Sequence, residues 1–213
     1  KQEPLSEGEL RSAIEKFATA ANFKIQNIYV IDGSKRTTKA NAYFTGLGSK
    51  KRIVLYDTLM DTLTTEEIVA VLAHEIGHYK HKHTLFMLIF SLLNIGVMLF
   101  LLSIALGEPA EGNMAIANAL GSNIPSFHFG VIVFGILYTP ISFLLGIGVN
   151  VLSRKNEYQA DTFAKENGLG APLGEALKKL SVSTLSNLNP HPAYVFFNYS
   201  HPTLLQRLKN LND

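Results

Sequence analysis

Two histidines four residues apart, with a glutamate directly after the first, are the part of this sequence best suited to chemistry. The segment reads His74-Glu75-Ile76-Gly77-His78. On an α-helix, residues four apart lie on one face, so the imidazoles of His74 and His78 can share one metal ion. Glu75 projects from the edge of that face, where its carboxylate can reach a water bound to the metal. The pattern is typical of a zinc peptidase.

The alternative for this motif is a surface helix that carries two solvated histidines. The apolar and small residues around the motif argue against a surface helix. They are Val69, Ala70, Val71, Leu72, Ala73, Ile76 and Gly77. A buried histidine pair without a metal would leave polar groups unsatisfied. Glycine inside a helix costs about 1 kcal/mol relative to alanine, so Gly77 predicts that another element approaches the helix closely there.

A catalytic zinc site needs a third protein ligand and an open position, and the sequence has no cysteine. His81 is excluded because it lies about 10 Å from His74 along a straight helix. Glu157 is the better candidate, and Asp161, one turn further, can accept the outer N–H of a ligating histidine. The alternative is a surface row of ion pairs that Arg154, Glu157 and Asp161 form. The upstream histidine motif favours the metal site.

Two long apolar segments separate the histidine motif from Glu157. Charged residues make up 17% of the 213 residues, against about 25% in soluble domains. The deficit of charged residues lies in 84–106 and 129–152. Each of these segments is long enough to cross a bilayer core, which needs about 20 apolar residues. We therefore expect two transmembrane helices, with long buried helices of a soluble protein as the alternative. The net charge of +2 is too small to indicate a nucleic-acid partner.

The charges beside these segments predict how they cross the membrane. Lys80 and Lys82 precede the first segment, and Arg154 with Lys155 follows the second, whereas the connection contains glutamates and no Lys or Arg. Because positive charges favour the cytoplasmic side, both outer ends should face the cytoplasm. The segments would then form a hairpin that brings Glu157 back to the side of the histidine motif.

The remaining pattern predicts a mainly α protein with a small antiparallel β-sheet. Capping boxes, in which a Ser or Thr is followed by Glu three positions later, place helix starts at Ser6 and Thr64. Pro202 suits the first position of a final helix. The other predicted elements are strands at 27–31, 40–45 and 52–56 and helices at 6–21, 171–185 and 201–211. We expect one domain over 1–213, made of 1–83, the hairpin of 84–106 and 129–152, and 153–213.

Five stretches of the sequence also resemble those of a known family, in the same order along the chain. They are Asn41 to Phe44, Lys51 to Thr58, Ala73 to His78, Ser153 to Asp161, and Tyr199 to Pro202. They are similar to the CAAX prenyl proteases, which are integral-membrane zinc endopeptidases. Family members have further transmembrane helices ahead of this region, and the chain starts at Lys1 rather than Met. We therefore expect a C-terminal catalytic part of such a protein.

The resemblance implies a gluzincin-like metallopeptidase with Zn²⁺ held by His74, His78 and Glu157. It also implies that Glu75 is the catalytic base and that His201 stabilises the transition state; His201 as a helix cap beside Pro202 is the alternative. The strand that includes Asn41, Ala42 and Tyr43 would pair with the substrate backbone, and Arg154 and Asp161 would support the ligands.

The resemblance implies two partners: membrane lipid, and a peptide or protein substrate, isoprenylated or not, that is cut near its C-terminus. The chain would be a multi-pass protein of the bacterial inner membrane or the endoplasmic reticulum membrane, with its catalytic side in the cytoplasm. One alternative is a heat-shock membrane quality-control protease of the same superfamily. A more distant alternative is a non-catalytic membrane protein that binds or transports metal, although few polar groups lie within the apolar segments.

Overall fold

The computed structural model describes residues 2–35, 42–45, 51–107, 112–124 and 126–213. The chain divides into two compact units. The first unit contains Lys1–Lys82 and Leu152–Asp213, and the second contains His83–Val151. The histidine motif and Glu157 both belong to the first unit, which we call the catalytic unit.

The sheet of the catalytic unit has four strands in the order β1-β2-β4-β3. They are β1 (Gln2–Pro4), β2 (Asn27–Ile31), β3 (Ala42–Thr45) and β4 (Arg52–Tyr56). The predicted small sheet is confirmed, but the prediction that it is antiparallel is wrong, because β2 and β4 pair in parallel. The central strand β4 buries Ile53, Val54 and Leu55 in succession, as a strand covered on both faces does.

Helix α1 (Glu9–Ala20) packs on this sheet together with α2 (Asp57–Thr62) and α3 (Thr65–Lys80). Ile14 of α1 lies in one buried cluster with Ile68 and Leu72 of α3. The capping box predicted at Ser6 is wrong, because the N-cap of α1 is Gly8, without a side-chain hydrogen bond. The capping box at Thr64 is confirmed, since both of its hydrogen bonds with Glu67 are present. Helix α3 carries the histidine motif.

The second unit consists of α4 (His83–Leu106), α5 (Gly112–Ala119) and the first part of α6 (Phe127–Glu166). The predicted apolar segments lie within α4 and α6, which are long and apolar enough to cross a membrane. The rest of the described chain covers almost none of their apolar stretches, which argues against soluble core helices. The hydroxyl of Tyr138 on α6 donates a hydrogen bond to Oδ1 of Asn94 on α4, at 3.2 Å.

Helix α6 continues past residue 152 into the catalytic unit, where α7 (Gly170–Ser183), α8 (Pro192–Asn198) and α9 (Leu204–Asn212) follow. The prediction that Pro202 is the first residue of the last helix is wrong. Thr203 is the N-cap of α9 and forms a capping box with Gln206. Proline occupies the first helical position in α8 instead, as Pro192.

Candidate metal centre

Helix α3 places the side chains of His74 and His78 against each other. Their Nε2 atoms are 3.1 Å apart, and the rings meet edge to face at a centroid distance of 4.7 Å. His74 is buried and His78 is half-buried. The opposite side of α3 buries Ile68 and Leu72 in the core, which fixes the rotation of the helix. The two imidazoles therefore face one common point, as the i, i+4 spacing predicts.

Glu157 on α6 completes a group of three ligand atoms. Its Oε2 lies 3.5 Å from Nε2 of His74, and its Oε1 lies 3.3 Å from Nε2 of His78. Among the described residues, these three side chains form the group whose ligand atoms all lie within 4.8 Å of one another. Two imidazole nitrogens and a buried carboxylate suit a divalent transition metal such as zinc. His81, the excluded candidate, is not part of this group.

The close approach expected at Gly77 is confirmed, and the approaching element is α6. A Cβ atom added to Gly77 would lie 3.0 Å from Cα of Ala160 and 3.1 Å from Cβ of Phe163. Glycine therefore lets the backbones of α3 and α6 come together at this position. The contact lies one turn from Glu157 on α6 and one residue from His78 on α3.

Behind the ligands, Asp161 and Arg207 form a buried network with His74. Nδ1 of His74 lies 2.8 Å from Oδ1 of Asp161, and Arg207 donates to both oxygens of that carboxylate, at 2.6 and 2.9 Å. With Nδ1–H donating to Asp161, the lone pair of Nε2 is directed at the metal position. Nη2 of Arg207 is 3.3 Å from Nδ1, but two donors form no hydrogen bond with each other.

Sequence reasoning missed Arg207, which also lies 3.4 Å from Oε2 of Glu157. The residue is remote in sequence from the histidine motif, and no local motif marks it. One signal was available: Arg207 lies four positions before the buried Leu211 on α9, so it shares the inward face of that helix.

The pKa values of these groups follow from burial and from their partners. Burial raises the pKa of Asp161, but hydrogen bonds with His74 and Arg207 outweigh it and hold the pKa below its usual value. Glu157 behaves in the same way, with His74 and His78 keeping its pKa well below normal. Burial opposes the charged form of His74, yet Asp161 and Glu157 raise its pKa. Protons would therefore compete with a metal ion for Nε2 of His74.

Glu75 lies next to this group and lines the same cleft. The cleft has a volume of about 200 Å³, and its lining includes His74, His78, Glu157 and His201. Glu75 is only partly buried, so its carboxylate can contact both the metal position and a molecule in the cleft. This is the position that a general base requires.

His201 reaches the ligand group from the segment between α8 and α9. Its Nε2 lies 3.3 Å from Oε1 of Glu157, and its Nδ1 lies 2.9 Å from Oγ of Ser200. The imidazole is mostly exposed at the cleft, with 64% of the side chain accessible. The capping alternative is wrong, because Thr203 caps α9. The geometry thus leaves the imidazole available to a molecule in the cleft.

In the described part of the chain, Arg154 binds the end of α8. Its Nη1 donates to the backbone carbonyls of Val195, Phe196 and Tyr199 at the end of α8. Because Tyr199 is two residues before His201, this contact ties the His201 segment to α6, three positions before Glu157. Arg154 thus supports the site through the backbone rather than through the ligands.

Two of the three predicted substrate-binding residues, Ala42 and Tyr43, belong to β3. Ala42 is buried and lines the cleft, and the ring of Tyr43 packs edge to face on Tyr56 at 6.3 Å. Asn41 lies outside the described residues. Within the described part of the sheet, β3 pairs with β4 on one side only. Its other edge is therefore available for an added strand.

The comparisons with known proteins agree with this geometry. The sequence profile of Peptidase family M48 matches residues 4–213. The CAAX prenyl protease 1 of Saccharomyces cerevisiae is 40% identical over 220 residues, which cover 98% of this chain and 49% of that protein. The human CAAX prenyl protease 1 homolog is 32% identical, with coverages of 98% and 51%. The crystal structure of S. mikatae Ste24p matches with a TM-score of 0.87 and 39% identity.

The chain belongs to peptidase family M48. The resemblance to the CAAX prenyl proteases is confirmed by relatives that are similar over nearly the whole chain. The match to Ste24p covers all of this chain and 52% of that one, so the chain spans about half the length of the relatives it matches.

Proposed function

We propose that this chain is the catalytic part of a zinc-dependent endopeptidase embedded in a membrane. One observation carries the proposal: His74, His78 and Glu157 converge within 4.8 Å, and Glu75 lines the same cleft. A base beside a metal position with an open side is the arrangement that metal-assisted hydrolysis requires. Membership of peptidase family M48 supports the same reaction class.

We assign the ligands as His74, His78 and Glu157 and the metal as zinc. A zinc ion held there would polarise the scissile carbonyl and lower the pKa of a bound water toward about 7. Asp161 holds His74 in the tautomer that presents Nε2, and Arg207 holds Asp161 ionised. Arg154 has a positioning role, since it ties the His201 segment to α6.

Glu75 accepts the proton of the attacking water and delivers it to the leaving amine. General bases of this kind contribute about 10²–10⁴-fold to the rate. His201 donates a hydrogen bond from Nε2 to the oxygen of the carbonyl under attack, where negative charge develops. The neighbouring Ser200 hydroxyl, which contacts Nδ1, orients the imidazole for this donation.

The edge of β3 that has no partner strand in the described part of the sheet binds the substrate backbone. An extended peptide added to that edge would form main-chain hydrogen bonds, and Asn41, Ala42 and Tyr43 are the residues we assign to this contact. Ala42 lines the catalytic cleft, so a peptide paired with β3 would pass the metal position.

The substrate class follows from the relatives, which are named CAAX prenyl proteases. We infer that the substrate is a peptide or protein that is cut near its C-terminus and carries an isoprenyl group. The two apolar helices span the membrane, and the catalytic unit faces the cytoplasm because Lys and Arg flank the outer ends of the segments. The chain would then act as one metallopeptidase domain built around a membrane hairpin.

The test is hydrolysis by the purified chain in detergent micelles, with metal content measured on the same sample. A prenylated CAAX peptide with a fluorophore and quencher should be cut, and a zinc chelator should abolish cleavage until zinc is restored. An unprenylated peptide of the same sequence is the matched control. Equal cleavage of both peptides would favour the quality-control protease of the same superfamily. One bound zinc without any cleavage would contradict the assignment as an enzyme.

A further inference from the structure

Most of the exposed large apolar side chains in the described part of the catalytic unit lie on the stretch from α7 to α9. These side chains, which we call the α7–α9 apolar surface, are Val182, Leu185, Leu188, Tyr194, Phe196, Phe197 and Leu205. Leu185 is 92% exposed and Val182 is 75% exposed. Elsewhere among the described residues of this unit, the exposed large apolar side chains are Tyr79 and Leu152. The apolar exposure is therefore concentrated between α7 and α9.

This region also lacks charged side chains. Residues 180–206 contain no Asp, Glu, Lys or Arg, whereas Lys179 and Arg207 stand directly on either side. A segment that faces water normally carries charges, and a concentration of exposed apolar side chains indicates an interaction site. Asparagine, serine and tyrosine fill the remaining positions, and tyrosine is enriched where a bilayer meets water.

Arg154 places this surface close to the end of an apolar helix segment. It lies two residues after 129–152 on α6, which corresponds to about 3 Å along the helix. Its guanidinium binds the carbonyls of Val195, Phe196 and Tyr199 and lies 5.9 Å from the Phe196 ring. The exposed Leu152 continues the apolar exposure toward α6. Arg154 thereby holds the end of α8 against α6, two residues after the apolar segment.

We infer that the α7–α9 apolar surface lies in the headgroup and upper acyl region of the lipid bilayer. Short aromatic helices at this depth bury their apolar face in lipid while their polar groups remain hydrated. Arg154 and Lys155 supply positive charge at the same level, which attracts anionic headgroups. The inference rests on the membrane location under the proposed function, and it adds a lipid contact of the catalytic unit to the contacts made by the two apolar helices.

The α7–α9 apolar surface is next to the catalytic cleft in the sequence. Tyr199 ends α8, and His201 follows two residues later and lines the cleft. A substrate with a hydrocarbon chain can therefore keep that chain in the bilayer surface while its peptide reaches His201. The α7–α9 apolar surface thus serves as the entry side for lipid-modified peptides.

The chain contains no tryptophan, so single tryptophans report on lipid contact without background. Phe197→Trp tests the surface, and Leu92→Trp on the exposed side of α4 tests the proposed membrane span. Lys16→Trp on the exposed side of α1 is the water-facing control. Each full-length variant is reconstituted into phosphatidylcholine vesicles with and without lipid brominated near the headgroup, and retained zinc content verifies folding.

We expect brominated lipid to quench the Phe197→Trp and Leu92→Trp variants and to leave Lys16→Trp unchanged. Lipid brominated near the chain ends should quench Leu92→Trp more than Phe197→Trp. Quenching of Leu92→Trp alone would overturn the inference and leave the proposed membrane location intact. A Phe197→Trp variant whose emission is blue-shifted but not quenched would also overturn the inference, because it would mean that protein covers the surface. Quenching of neither variant would contradict the membrane location itself.

Discussion

Arg207 and Asp161 form a two-point ion pair behind His74, with Nη2 2.6 Å from Oδ1 and Nε 2.9 Å from Oδ2. Asp161 is fully buried, and a buried carboxylate without a partner would be strongly destabilising. With Arg207 as partner it stays ionised and accepts the Nδ1 proton of His74. Three helices, α3, α6 and α9, thus meet in one network around His74, the proposed metal ligand.

Replacing Asp161 with asparagine should therefore weaken metal binding more than it changes the fold. Asparagine keeps the shape but loses the charge, and its amide group can donate to Nδ1 and reverse the tautomer. Partners of metal ligands contribute about 10–100-fold to metal affinity, so we expect the zinc Kd of Asp161→Asn to rise within that range. Competition with a chromophoric chelator measures this. Asp61→Asn on the exposed side of α2 is the control, and an equal Kd for both variants would contradict the assigned role.

The Glu75→Gln variant distinguishes the proposed role of Glu75 as general base from a role as metal ligand. Glutamine cannot accept the proton of water, so hydrolysis should fall by about 10²–10⁴-fold. Zinc content should stay at wild-type level, because Glu75 is not in the ligand group. The same substitution at Glu66, exposed on α3, should change neither property. Retained hydrolysis in Glu75→Gln would show that another group is the base.

The sequence predicts the histidine pair of the site because the two residues are close together on one helix. The i, i+4 spacing alone brings His74 and His78 together, and a capping box marks the start of their helix. Glu157 could be selected only because the two apolar segments predict a chain that turns back. Arg207, by contrast, is 133 positions from His74 in the sequence but contacts it in the structure. No rule based on residue spacing predicts a contact over that separation. The parallel pairing of β2 with β4 is equally a result of tertiary packing.

The role of His201 can be separated from helix stability, since Thr203 and Gln206 cap α9 without it. We expect His201→Asn to keep its zinc content and Tm while kcat falls by about 10²–10³-fold, the usual effect of losing an oxyanion donor. His191→Asn is the matched control, because His191 caps α8 with its Nδ1 and asparagine caps equally well. Near-normal turnover in His201→Asn would remove this residue from the mechanism.

Glu67 makes the stability of the catalytic unit depend on acid pH. It is buried, and it accepts hydrogen bonds from Lys179 at 2.7 Å and from the backbone of Thr64 at 2.8 Å. Burial raises its pKa, but these partners outweigh burial and hold it below the ordinary value of 4.5. As the pH falls, Glu67 is therefore protonated in the unfolded chain before it is protonated in the folded chain. The stabilisation is complete above pH 4.5 and is lost as the pH falls through the lower pKa of the folded state.

Urea unfolding of the metal-free chain in detergent micelles measures this effect without interference from zinc release. The difference in unfolding free energy between wild type and Glu67→Gln should be largest at neutral pH and should shrink below pH 4.5. Glu66→Gln, on the exposed side of α3, should show no such trend. A constant difference for Glu67→Gln across the acid range would mean that its charge does not stabilise the fold.

Gly77→Ala tests whether the helix crossing sets the metal geometry. In an open helix this change stabilises by about 1 kcal/mol. Here the new Cβ would lie 3.0 Å from backbone Cα of Ala160, and overpacking of this kind costs about 1–3 kcal/mol. The expected net result is a lower Tm.

Because α6 must move away from α3, Glu157 should also move from His74 and His78, and the zinc affinity of Gly77→Ala should fall. The same substitution at Gly146 on α6, where no atom lies within 4 Å of an added Cβ, should lower neither property. Melting curves with and without zinc, together with chelator competition, measure both effects. An unchanged or higher Tm with normal zinc affinity in Gly77→Ala would show that the contact between α3 and α6 does not hold the ligands in place.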